Sequence, residues 1–341
     1  MRTVFLALVI FSLAACSSAQ VGTSVALSPS AEPLLLPSEQ AALQLAGIER
    51  GKVRCSARNH WSDSLRGEAK TTVDAMLAAV EKAGSTLRDE AKATLRKDMV
   101  DKVFWRMVQT QIVDGELHNL GAVVVANRKL PDGTPLLLFR TAFTATPTEV
   151  NSCVQSLTSV GVRHLVNLYA GPMPTEGLEA AERLAMRAVG GSYFTARENP
   201  EAASFREDLR AGDAQEHDHA MLAVVQLIRE QILDPNGYAP RGHIQVHCGG
   251  GMHRTGMVVG VLERCWNHTA MPEVAEHYKR HVGWRSEREP GGFEEKNLEF
   301  IANFDCELFY PGTKKDARDG DKGKPGSEKT KYFDFMDTMC L

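Results

Sequence analysis

The sequence has no apolar run long enough to cross a membrane, no long basic run, and no basic stretch interleaved with aromatics. The first absence excludes a membrane-spanning helix, which needs about 20 apolar residues. The other two, with 39 basic residues against 43 acidic ones and a net charge of -4, exclude nucleic acid as a partner. No Gly-Lys-Ser/Thr closes a glycine-rich loop and no Gly-x-Gly-x-x-Gly opens a helix, so the common nucleotide-binding loops are excluded as well. His217, His219, His243, His247 and His253 fit no compact metal-ligand spacing, and histidines two apart point different ways on a strand or a helix. The reading is therefore of a protein with no metal and no other cofactor. Internal repeats are also absent.

What is present begins with a leader. Arg2, an apolar run from Val4 to Leu13 and then small residues form an export signal. Its ending, Leu13-Ala14-Ala15-Cys16, resembles the bacterial lipobox, in which the cysteine is lipidated and becomes the first mature residue; cleavage after Ala19 is the alternative. Ser17 at the next position is compatible with sorting to the outer membrane. The expectation is an exported protein held to a bacterial membrane by a lipid at Cys16, facing the periplasm or the cell surface. Residues 17–37, rich in Ser, Pro and Ala, suit a tether.

Cysteine is scarce, with seven in 341 residues. With Cys16 lipidated and Cys248 reserved for chemistry, five remain, an odd number, in a compartment where disulfides form. Cys306 with Cys340, or Cys55 with either, are the pairs to expect. Cys153 and Cys265 fall among apolar helix positions and read as core.

Residues 38–115 carry helical periodicity, with Val73, Met76, Leu77 and Val80 on one stripe and a second helix from Thr86, capped by Asp89, to about Val113. They read as a helical accessory region without chemistry of its own. From 116 to 310 short apolar runs alternate with helical ones. "GAVVVAN" and "TPLLLFR" flank a Pro-Asp-Gly turn as two strands, and Thr146-Pro147-Thr148-Glu149 starts a helix through Val160. "RHLVNLY", "SYFTA" and "HIQVHC" are further strands, with helices between them and after the last. Such alternation implies an α/β domain with a mostly parallel sheet of about 4–5 strands flanked by helices. Residues 311–341 form a polar tail.

The chemistry lies in "HIQVHCGGGMHRTGMVVGVLERC", where an apolar strand hands over to an apolar helix. Backbone N–H groups point outward there, and the helix dipole favours an anion. Gly249, Gly250 and Gly251 let the loop curl into a nest of amides. Arg254 adds a planar fork able to grip two phosphoryl oxygens. The same positive surroundings make Cys248 a thiolate and a nucleophile.

"HCGGGMHRTG" resembles the signature loop of the cysteine-dependent protein tyrosine phosphatase superfamily, His-Cys, five residues, Arg, Thr, Gly. "LLLFRTAFTATPTEV", "VGVRHLVNL" and "GGFEEKNLEFIANFD" extend the resemblance to its dual-specificity-like branch, over roughly residues 119–305, including compact members that act on inositol pyrophosphates. The resemblance implies that Cys248 attacks phosphorus to give a cysteinyl-phosphate. Arg254 and the amides of Gly249, Gly250, Gly251, Met252, His253 and Arg254 would hold the phosphoryl oxygens. Thr255 would assist thiolate departure, and His247 would order the loop. It also implies an aspartic acid a little over thirty positions before the cysteine; Asp213 in a loop is favoured, and Asp218, read as first-turn helix, is the alternative.

The expected partner is a phosphorylated protein or a small-molecule phosphate ester, with a tyrosine or dual-specificity protein phosphatase as the leading reading. An inositol polyphosphate phosphatase and a lipid-anchored phosphate-binding module without turnover are the alternatives. The loop's variable positions, Gly249, Gly250, Met252 and His253, carry no Lys or Arg, which weakens the inositol reading; Lys279, Arg280 and Arg285 are outside candidates for cations. Arg140 reads equally as an edge-strand surface residue and as a substrate contact.

Overall fold

The computed structural model describes residues 35–59, 65–84, 88–113, 117–145, 153–171, 177–205, 214–283 and 293–310. The chain divides into Met1–Glu32 and Pro33–Leu341, and every described residue belongs to the second unit. Cys16, the tether up to residue 34, Asp213, Arg285 and the tail from 311 lie outside the described residues.

Three helices precede the sheet: α1 (Pro37–Leu45), α2 (Leu65–Lys82) and α3 (Asp89–Val113). The α/β part then runs β1 (Gly121–Lys129), β2 (Pro135–Thr141), α4 (Cys153–Ser159), β3 (Val162–Asn167), α5 (Leu178–Ala188), β4 (Ser192–Thr195), α6 (Ala214–Ile228), β5 (His243–His247), α7 (His253–Val261), α8 (Met271–Val282) and α9 (Phe293–Asn303). The five strands form one sheet in the order β1-β2-β5-β3-β4. Only β1 with β2 is antiparallel, joined through the Pro-Asp-Gly turn; β2 with β5, β5 with β3 and β3 with β4 are parallel. The mostly parallel α/β sheet expected from the alternation is present, with helices on both faces.

Strand alternation explains the two faces. Leu136 and Leu138 of β2, Val166 of β3, and Ile244 and Val246 of β5 turn to one side, against α6, α7 and α9. Leu137 and Phe139 of β2 and Leu165 of β3 turn to the other, against α1, α4 and α5. Residues 35–57 join this second core through Leu35, Leu43, Ile48 and Ala57. A third cluster unites α2 and α3 through Val73, Leu77, Val100 and Phe104, and it reaches Leu117, Phe143 and Leu178.

Cysteine pairing departs from expectation. Cys55 is bonded to Cys153, and Cys265 to Cys306, while Cys340 lies outside the described residues. Cys153 and Cys265 are buried as expected, each 1 % exposed, but neither is a plain core cysteine. The pairing follows from elements remote in sequence. The strand of residues beyond α1 lies along α4, and the segment after α9 folds back on the end of α7. Sequence separations of 98 and 41 residues give no hint of either approach. On a chain-entropy basis, such loops stabilise by roughly 5 and 4 kcal/mol.

Thr146 to Glu149 and Thr86 fall outside the described residues, so α4 is seen from Cys153 and α3 from Asp89. In α6 the first turn holds Glu216, and Asp218 comes two residues later, past the first turn and exposed; the dipole-stabilising role expected of Asp218 passes to Glu216.

Candidate active site

Strand β5 sits in the middle of the sheet. The helix after β3 lies on one face and the helix after β5 on the other, so the carboxyl ends of these neighbouring strands open a crevice, the place where parallel sheets receive ligands. Cys248 stands at that point, directly after β5, in no disulfide and 7 % exposed. The loop from Cys248 to Met252 leads into α7.

The curl of this loop depends on Gly251. Its φ is +64°, and a Cβ there would collide with the Thr141 carbonyl of β2. Carbonyls along the loop are gripped from outside. Phe143 N donates to Gly249 O (3.4 Å), Asn119 Nδ2 to Gly250 O (3.1 Å) and Gly251 O (3.2 Å), and Arg140 Nη2 to Gly251 O (3.0 Å). Because a trans peptide sets each N–H opposite the preceding carbonyl, these grips turn the amides of Gly250, Gly251 and Met252 to the other side. An anion nest results.

Arg140 therefore has a role that neither sequence reading gave it. Strand β2 is internal, and Arg140 is 1 % exposed, a brace beneath the loop rather than a surface residue. Burial brings its pKa down to about 10, which leaves the guanidinium charged at neutral pH.

Around the sulfur, burial works against the thiolate, but the Thr255 hydroxyl and amide, the Arg254 guanidinium and the Met252 amide outweigh it and lower the Cys248 pKa below its ordinary 9.0. Thr255 Oγ1 is buried. Its hydroxyl rotor is free to turn toward the Cys248 sulfur, which it helps to hold as a thiolate. Arg254 is the second residue of α7 and 8 % exposed.

The loop's side chains divide in two. Met252 is buried in the core beneath α7, so it offers the site only its amide, while Gly249, Gly250 and His253 are partly exposed. Tyr169, just past β3, covers Gly249, where a Cβ would lie 3.1 Å from its ring, and it meets Phe143 edge-to-face at 5.1 Å. Burial and the Cys248 charge raise its hydroxyl pKa.

Behind Cys248 lies a buried polar network. His247 is fully buried; its Nε2 meets Glu182 Oε2 of α5 at 3.1 Å and its Nδ1 meets Cys248 O at 3.3 Å. Glu182 also accepts from Thr144 Oγ1 (3.1 Å) and Tyr193 Oη (3.0 Å). Burial opposes both charges, yet each sustains the other: His247 is raised and Glu182 lowered, which makes an imidazolium–carboxylate pair. Nothing in the sequence around Glu182 marks it, for it lies on an amphipathic helix 65 residues before the histidine.

In front of the loop is a second network. Asn119 Oδ1 faces His281 Nδ1 at 2.9 Å, His281 Nε2 meets Glu39 Oε1 at 2.6 Å, and Arg280 donates to Ala57 O at 3.0 Å. Arg280, a candidate cation for substrate, is thus held in structure. Asp213 lies outside the described residues, and Asp218 sits exposed on α6, so the general acid is not placed.

No family model matches the chain, and no curated protein does. Among solved structures it is similar to the crystal structure of the core catalytic domain of the PP-IP phosphatase SIW14 from S. cerevisiae in complex with citrate. Identity is 15 % and TM-score 0.32, over 49 % of this chain and 80 % of that one. A likeness at that level carries no argument about activity.

Proposed function

We propose that this chain is a cysteine-dependent phosphatase of the protein tyrosine phosphatase superfamily that hydrolyses phosphate monoesters. The observation that carries the reading is the joint placement of a pKa-lowered Cys248 and an inward-turned amide nest at the amino end of a helix carrying Arg254. In the reaction the Cys248 thiolate attacks phosphorus and the bond from phosphorus to the leaving oxygen breaks. Arg254 and the loop amides hold the three remaining oxygens. An aspartic acid, Asp213 or Asp218, protonates the leaving oxygen, then takes a proton from water as water attacks the cysteinyl-phosphate. The sulfur–phosphorus bond breaks, Thr255 stabilises the departing thiolate, and phosphate leaves.

The substrate reading is a phosphotyrosyl or dual-specificity protein substrate rather than a highly phosphorylated inositol. It is supported by what the described residues place at the loop: Met252 is in the core, and Arg280 donates to Ala57 O and Asn119 Oδ1. Purified protein without its leader is expected to hydrolyse p-nitrophenyl phosphate in a metal-chelating buffer, and C248S to be inactive. Phosphate release from phosphotyrosine peptide is expected to exceed that from phosphoserine peptide and phytate. A preference for phytate overturns the protein-substrate reading; vanadate binding without turnover favours a phosphate-binding module.

The localisation reading is a lipid anchor at Cys16. The two disulfides support an oxidising compartment. Labelling with an alkyne fatty acid is expected in the wild type and absent in C16A, which should appear in a soluble fraction; equal labelling of both overturns the anchor.

A further inference from the structure

We propose that Glu39, His281 and Asn119 form a proton-ordered relay of positioning residues, in which a helix outside the α/β sheet sets the orientation of the phosphate-binding loop. This inference rests on the phosphatase reading above.

Asn119 is fully buried, and its backbone φ is +49°. Its Nδ2 donates to Gly250 O (3.1 Å), Gly251 O (3.2 Å) and His281 O (2.9 Å). Three carbonyls around one nitrogen fix which end of the carboxamide is NH2, since the oxygen could serve none of them. Asn119 Oδ1 must therefore face His281 Nδ1. An amide oxygen only accepts, so the hydrogen at that contact sits on Nδ1. At the far side of the ring, Nε2 and Glu39 Oε1 share one more proton. The pair holds two protons in all, whichever atom has the second, and is electrically neutral.

Burial and Arg140 press His281 toward the uncharged form while Glu39 opposes them; Arg280 Nη1 also lies 3.4 Å from Nδ1, and it is the closer 2.9 Å contact with Asn119 Oδ1 that keeps the proton on Nδ1. A ring protonated only at Nε2 would set a lone pair against the Asn119 oxygen and drive the carboxamide to turn, aiming its oxygen at the loop carbonyls.

Glu39 is held in turn. Its Oε2 accepts from Leu36 N at 2.9 Å, closing the amino end of α1. Ser38 next to it meets His277 Nε2 at 2.8 Å. His277 and His281 are one turn apart on α8, so successive residues of α1 grip successive turns of one helix face. Gly121 permits the approach, for a Cβ there would collide with both Glu39 and His281.

The test is a set of variants of the leaderless protein, read by KM and kcat for p-nitrophenyl phosphate and by the vanadate inhibition constant, with thermal melting as a fold check. N119G keeps the backbone angle, which glycine adopts freely, and removes the carboxamide. It is expected to raise KM and the vanadate constant by about tenfold, because the Gly250 carbonyl loses its partner. E39A is expected to give a loss of the same kind. E39Q is expected to stay within about threefold of wild type, since the glutamine amide can donate to Nε2 while its oxygen accepts from Leu36 N. E39Q as weak as E39A, or N119G and E39A both equal to wild type, overturns the relay while leaving the phosphatase reading intact. Wild type that neither turns over substrate nor binds vanadate overturns both.

Discussion

Two buried glutamate–histidine pairs flank the loop, and they differ in what they touch. Glu182 and His247 lie behind Cys248, and the histidine contacts the Cys248 backbone itself. Glu39 and His281 lie in front, and reach the loop only through Asn119. The rear pair stands as a charged couple one residue from a thiolate, so it acts on the electrostatics of sulfur. The front pair acts on geometry, since its product is the direction of one carboxamide. The same two residue types thus do different work according to what lies at the far ring nitrogen.

The sharpest way to break the comparison is E182A. It strips partners from His247, Tyr193 and Thr144 at once, and is expected to cost about 3–5 kcal/mol in a denaturant titration. E39Q should cost well under half of that. Equal losses would mean that the two pairs are both simply structural.

Reduction of the disulfides comes next. Reduced protein is expected to lose about 2–5 kcal/mol per bond, with C265S lowering the melting temperature and leaving KM unchanged, because Cys265 and Cys306 lie at the far end of α7 from the loop. A raised KM in C265S would show coupling along that helix.

Acidity separates the pairs further. Glu182 is depressed from 4.5, so its contribution is complete above that value and fades as pH falls through its folded pKa. His247 is raised from 6.5, so its contribution is complete below that value and fades as pH rises through its folded pKa. The stability gap between wild type and E182Q is expected to be widest between these two values and to narrow on either side, in melts run across pH. A gap that does not vary with pH would argue against the ion pair.

The smallest expected effect is on the thiol. The midpoint of Cys248 alkylation by iodoacetamide should lie below pH 9.0. In E182Q it should rise by about half a unit or more as the His247 charge is lost, and in E39Q it should not move. A matching rise in E39Q would give the front pair an electrostatic role.

Strand positions, the antiparallel start, the parallel remainder and the strand-to-helix placement of Cys248 were legible in the sequence. Each is a local pattern: period-two runs, a Pro-Asp-Gly turn, glycines at a curl. Partnerships across distance were not legible. Counting cysteines gave the wrong pairs, because the count says nothing of which helices meet. Arg140 read equally as an edge-strand surface residue and as a substrate contact, since a strand's place in the sheet is not written in the strand. Glu39 sat in a region read as accessory, and Glu182 on a helix to which the sequence assigned no role.

The sequence by itself singled out Cys248, the arginine six residues on and the kind of sheet that would present them, because these depend on residue type and short-range backbone preference. The tertiary structure alone decided what holds the loop open. A carbonyl can be gripped by any donor that folding brings near, and Asn119, Arg140 and Phe143 are brought there by the crossing of strands and helices more than a hundred residues apart.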